Sequence, residues 1–204
     1  MPAKMPKAPR SYKLTLRQID AARRAFDASD PRRLFYRAAA ELVDLALRRK
    51  TRLTTGEGLA VLLKTWNKRH YRFKRFDERH FFDIEQLIIK HCQPLSLLRR
   101  RAISTFSDAD RSTVQTLFAD FERVLGPVGA AKSLHLLAPH FLPLWDRKIA
   151  RAYSVALGTR GSNAERYCRF MAIAQEQCGG LRPRRRTDWN PLKAIDEYNY
   201  WQAH

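Results

Sequence analysis

Acidic residues are scarce in this chain. Its 204 residues hold 20 Asp and Glu against 39 Lys and Arg, a formal net charge of +19. A balance so far to one side points to polyanionic partners. Cysteine is scarcer still. Cys92, Cys168 and Cys178 form no metal-ligand spacing, and an iron–sulfur cluster needs four thiolates in most cases. The odd, sparse count fits free thiols in a reducing cytoplasm. No apolar run approaches the roughly 18 residues that a membrane span requires. Phosphate-binding P-loops, Gly-x-Gly-x-x-Gly fingerprints and His-Glu-x-x-His pairs are missing, so neither a cofactor nor a metal is implied. Period-two alternation is absent and β-branched residues are few, which leaves no convincing strand. No repeat recurs at solenoid periods.

What is present is helical periodicity. Hydrophobic residues make up 45% of the chain, enough for the core of one compact domain of one or two lobes. The basic, proline-rich residues 1–10 carry no apolar segment after them, which predicts a disordered arm and no secretory signal. Apolar residues at three-to-four spacing predict helices over 14–28, 34–50, 59–66, 80–91 and 111–125. Further helices are expected at 94–103, 130–138, 146–157, 165–177 and 191–201. Asp30 before Pro31, and Thr54 three residues before Glu57, are helix-start signals. The fold class is all-α. Arginine runs at Leu98–Arg101 and Arg182–Arg186 strengthen the case for nucleic acid, although each alone also reads as a solvated face. Residues 66–76 alternate aromatics with cations. Such a run suits a groove in which bases stack and phosphates pair, or equally core aromatics with solvated cations between them.

The chain is organised around residues 124–146. Gly126-Pro127-Val128-Gly129 separates two helical patterns, and Gly126 and Gly129 allow a tight turn. The amides that follow, including those of Val128, Gly129 and Ala130, open a helix and can hold a phosphate oxygen. Lys132 follows in the first turn. After a proline-bounded apolar loop, Asp146 starts the next helix, where its charge is favoured and where it can act as a cap. This pairing resembles the helix-hairpin-helix and Gly/Pro-Asp superfamily of DNA base-excision glycosylases. Leu125-Gly-Pro-Val-Gly129 is similar to that family's hairpin, usually Leu-Pro-Gly-Val-Gly, and Pro143-Leu-Trp-Asp146 is similar to its Pro-x-Asp loop. In lyase-competent members a lysine stands two residues after the last hairpin glycine. Here that position is Ala131, and Lys132 comes one residue later, a rotation of about 100° on a helix.

The resemblance implies a two-lobed helical domain over 11–204, with the hairpin at the cleft between lobes. A hairpin-containing lobe would span about 51–138, and a second lobe 11–50 with 146–204. It also implies a monomer that binds duplex DNA and extrudes one nucleotide into a pocket. The enzyme would be a monofunctional N-glycosyl hydrolase, cytoplasmic and nucleoid-associated in a bacterial-type cell. Oxidised or alkylated purines would give it a repair role, and hypermodified phage pyrimidines an anti-phage one. Cleaving the N-glycosidic bond builds positive charge on the sugar, which Asp146 would stabilise while activating a water. Lys132 is the candidate amine nucleophile for a lyase step. Gly126, Val128, Gly129, Ala130, Asn67, Lys68, Arg69 and Tyr71 are expected against DNA. Of these, Asn67, Arg69 or Tyr71 would fill the space left by the flipped base. Trp66, His135, Phe141, Trp145 and Trp201 are expected to wall the base pocket, and the last helix further offers Asp196, Tyr198 and Tyr200. Each has a plainer reading: Asp146 as a helix cap, His135 and the C-terminal aromatics as core. The alternative function is a non-enzymatic helix-hairpin-helix module that binds DNA.

Overall fold

A computed structural model describes residues 14–29, 32–181 and 189–203. The arm 1–10, the Asp30-Pro31 start signal, the arginine run at 182–186 and the side chain of Arg69 lie outside the described residues. The described residues form ten α-helices and no strand. In chain order these are α1 (Leu16–Ser29), α2 (Arg32–Leu47), α3 (Thr55–Trp66), α4 (Lys68–Phe73), α5 (Glu78–Lys90), α6 (Cys92–Arg99), α7 (Arg111–Leu137), α8 (Arg147–Ala152), α9 (Ala164–Gly179) and α10 (Pro191–Ala203). None is long and apolar enough to cross a membrane.

Local chemistry sets several helix starts. At α3, Glu57 N–H donates to Thr54 Oγ1 at 3.2 Å while Thr54 N–H donates to Glu57 Oε2 at 2.6 Å. That reciprocal pair satisfies two otherwise orphan donors. Asp77 caps α5 through His80 N–H, and Asp146 caps α8. The central α7 runs through the core, with Val114, Leu117, Phe118, Phe121, Leu125, Ala130, Ala131 and Leu134 each at most 1% exposed. It packs against α3, α5 and α6 as well as α9.

Several boundaries differ from those expected. Within residues 66–76, Lys68–Phe73 form the six-residue α4, and Tyr71 and Phe76 turn inward onto His80. The second half of α7 begins directly after Gly126, three residues before the expected 130. Gly126 alone has non-helical angles, and Pro127, whose missing N–H costs nothing in a first turn, continues the helix. Helix α8 stops at Ala152 instead of reaching 157. The chain turns there through Ser154 at φ 58°. The lobe boundary expected near residue 50 falls between α2 and α3, which pack extensively on each other among the described residues.

Candidate functional site

The site begins at the break in α7. Gly126 sits at φ 69° and ψ 168°, a region that is essentially glycine-only. A side chain there would place Cβ 3.3 Å from His70 Nδ1. Breaking a helix orphans the carbonyls before the break, and cations occupy two of them. Lys74 Nζ donates to Val124 O at 2.9 Å, and the Arg160 guanidinium donates to Arg123 O. Across the break, a Cβ on Gly129 would lie 2.9 Å from Asn67 Nδ2. The α3–α4 junction is therefore seated directly on the glycine turn.

The loop from α7 to α8 is held from three sides. His135 Nδ1 lies 2.8 Å from Leu142 O, a carbonyl that can only accept, so Nδ1 carries the proton. Nε2 then accepts from Tyr36 Oη at 2.8 Å. Full burial pushes this imidazole down to about 4, more strongly than its bond to the Leu142 carbonyl and the Asp196 charge pull it back. Tyr167 Oη donates to Pro143 O at 2.8 Å. Trp145, 1% exposed, packs its ring among Phe118, Tyr167 and Phe170. The next residue is Asp146. Its Oδ1 accepts from Lys148 N–H and Ile149 N–H, both at 2.8 Å. Among the described residues, Oδ2 makes no hydrogen bond or ion pair.

Asp146 borders a cavity of about 770 Å³ that reaches from the α7 break to α10. Its walls include Trp66 and Asn67 from the α3–α4 junction, Gly126 to Gly129 from the break, and Lys132 one turn beyond. Trp145, Asp146, Asp196 and Tyr200 complete the opposite elements. Four lining cations, Lys74, Lys132, Arg147 and Lys148, outnumber the two lining carboxylates, Asp146 and Asp196. Lys132 donates its ammonium to Trp66 O and stands 5.9 Å from the Trp66 ring centroid. On the lining, His70 has its imidazole held below the usual histidine range by burial and by the nearby Lys74 and Arg160 charges. The same Arg160 charge, after burial, lowers Lys74.

The residues read from sequence divide clearly. Asp146, Lys132, Gly126, Val128, Gly129, Asn67, Trp66 and Trp145 all line this cavity. Ala130 does not: it is fully buried inside the helix that Pro127 opens. His135 does not either, being committed to Tyr36 and Leu142 in the core. Phe141 is wholly buried beneath the Arg101 guanidinium, 4.7 Å from its ring, and against Phe106. Trp201 stays on the outer surface at 46% exposure, away from the cavity. Tyr71 is unavailable as a wedge, since its hydroxyl pairs with His80 Nε2 at 3.0 Å and its ring packs on His70 and Phe76. Asn67, 7% exposed, is too deeply seated for that task. Lys68 is exposed on α4 and lies off the cavity lining.

The sequence pattern does not single out one further lining residue. Phe73, at the end of α4, is 83% exposed yet borders the cavity mouth, with Arg72 and Lys74 on either side. The alternating run contained it, but only the inward packing of Tyr71 and Phe76 shows which aromatic is left outside. Among the described residues no cluster of three or more His, Cys, Asp or Glu is arranged to hold a metal. No family model matches the chain, and neither does any curated protein or solved structure.

Proposed function

We propose that this protein is a DNA glycosylase of the helix-hairpin-helix and Gly/Pro-Asp type. The observation that carries the reading is Asp146: one oxygen is spent on capping α8, and the other is uncommitted at the edge of a cavity with a cationic lining. The glycine break would grip a phosphate of the strand through its first-turn amides, assisted by Arg147 and Lys148. Phe73 would slide between base pairs into the gap left by the extruded nucleotide, as apolar wedges do in kinked duplexes. On this reading the cavity is the cleft between a hairpin-containing lobe and a second lobe that supplies α8 and α10.

The reaction is hydrolysis. The C1′–N bond breaks and its electron pair leaves with the base, which takes up a proton. Asp146 offsets the positive charge building on the sugar. A water oxygen then bonds C1′ and yields a proton to the Asp146 carboxylate, leaving an abasic site. Lys132, tied to Trp66 O, serves as a fixed cation for the substrate's phosphates, so the enzyme is monofunctional. The substrate is a damaged or hypermodified base, and the role is repair or defence against phage.

A second reading, a DNA-binding module without chemistry, is favoured by the two capping bonds that Asp146 makes. Incubating the protein with modified duplexes and genomic DNAs, phage DNA included, separates the two. Released bases detected by mass spectrometry, matched by alkali-labile sites, support the glycosylase. Tight DNA binding with neither product supports the module.

A further inference from the structure

The cavity holds a second carboxylate. Asp196 projects from α10, an element separate from the one carrying Asp146, and its side chain is 14% exposed. Its Oδ2 accepts from Lys193 Nζ at 2.7 Å. Lys193 is itself fixed: its side chain is 8% exposed, it lies 3.7 Å from Glu197 Oε1, and it stands over the rings of Tyr36 and Trp66 at 4.7 and 5.1 Å. Glu197 in turn pairs with Arg23 at 3.2 Å. Among the described residues, Asp196 Oδ1 makes no hydrogen bond or ion pair.

An ionised carboxylate can only accept. With Lys193 on one oxygen, Asp196 offers the cavity a single, positioned acceptor. Lys193, 8% exposed and also 3.7 Å from Glu197, is committed to the other oxygen. A ligand must then supply a donor, or the acceptor is left stranded at a cost. The carboxylate is also recessed, so a donor that projects from a ring reaches it better than a ring N–H does. Tyr200 lines the same wall one turn later, at i+4.

We infer that Asp196 reads the edge of the extruded base and selects bases that carry an exocyclic amino group. Adenine-, cytosine- and guanine-type bases meet that requirement, and uracil-, thymine- and hypoxanthine-type bases do not. This inference rests on the glycosylase reading. Asp146 performs the chemistry, and Asp196 decides which base is held over it.

The test compares excision of the best substrate with excision of the same base whose amino group is replaced by hydrogen. Wild type should prefer the amino-bearing base by on the order of 10–100-fold, the range expected for a hydrogen bond to a charged group. In Asp196→Leu and Asp196→Ala the preference should collapse to within about 3-fold. Each ratio is taken on one preparation, so partial misfolding of a variant cancels. A preference that persists in both variants overturns the assignment while leaving the glycosylase intact. So does a wild-type enzyme whose released base is of the uracil or thymine type. Absence of any excision by wild type removes the glycosylase reading, and this assignment with it.

Discussion

Replacing Asp146 with Asn separates the cap that the side chain makes from the catalytic task proposed for it. The capping task needs one oxygen acceptor facing Lys148 N–H and Ile149 N–H at 2.8 Å. Asn supplies it, and Asn and Asp are close to equal at this helix position. What the fold loses is a negative charge at the start of α8, a helix of only six residues, about 0.3–1 kcal/mol at a partly exposed site. The proposed chemical task needs the charge itself. Losing one preorganised electrostatic group of this kind costs about 10²–10³ in rate, about 3–4 kcal/mol of transition-state stabilisation. Asp146→Asn should therefore melt near wild type and lose at least about 100-fold in single-turnover release of base, read as alkali-labile ends on a labelled duplex. Its DNA affinity should hold or rise, because a negative charge leaves a cationic cavity. Asp146→Ala should lose the same rate and also about 1 kcal/mol of stability with the cap. The reasoning fails if Asp146→Asn keeps a rate within about 3-fold of wild type, or if both variants lose rate only in step with their melting temperatures.

Three further outcomes follow from single residues. Phe73→Ala should leave stability within about 0.5 kcal/mol of wild type, as befits a surface change. It should slow excision from duplex by about tenfold or more while sparing single-stranded substrate, which has no gap to fill; equal losses on both would remove the wedge. Gly126→Ala forces φ 69° and ψ 168° on a residue with a Cβ and should cost about 1–3 kcal/mol in chemical denaturation, with DNA binding weakened as the α3–α4 junction shifts. His135 ties stability to acidity. Its folded imidazole titrates at about 4 against an ordinary 6.5, so between those values the unfolded chain binds more protons. The stability it contributes is complete above pH 6.5 and is lost as pH falls toward 4, about 2 kcal/mol between pH 7 and pH 5. Urea midpoints across that range should fall in wild type and fall less steeply in His135→Asn; a flat wild-type profile would contradict the buried neutral ring.

What the sequence made legible was local. The Thr54–Glu57 start of α3, the cap at Asp146 and the glycine break all depend on residues within a few positions of one another. The all-helical class followed from periodicity that spans whole elements. The cavity walls were harder, because they depend on partners far apart in the chain. Nothing near Tyr71 signals that His80 will take its hydroxyl, and so nothing local marks Phe73 as the aromatic left at the rim. His135 stands one turn from Lys132, a spacing that suits a shared face. The remaining rotation of about 60° is enough to carry it onto Tyr36 and Leu142. The burial of Phe141 is hidden for a similar reason: Arg101 and Phe106 cover it from 40 and 35 residues earlier.

The position of Lys132 shows how one backbone angle decides what a motif spacing leaves open. Counted from Gly129, the lysine is one residue late, and a rotation of about 100° would be expected to turn it out of the cleft. The helix, however, takes its phase from Gly126 and Pro127, where its second half begins. Lys132 itself lines the cavity with Val128 and Gly129, at i+4 and i+3 from them. Ala131, where a lysine stands in lyase-competent members of the family this chain resembles, is wholly buried in the core. The register therefore cannot be transferred by counting from the glycine. The ammonium also meets the carbonyl of Trp66, one of the last carbonyls of α3, a place where positive charge is favoured. Lys132 thus joins the end of α3 to the second half of α7, and it holds the Trp66 wall of the cavity while presenting its charge there.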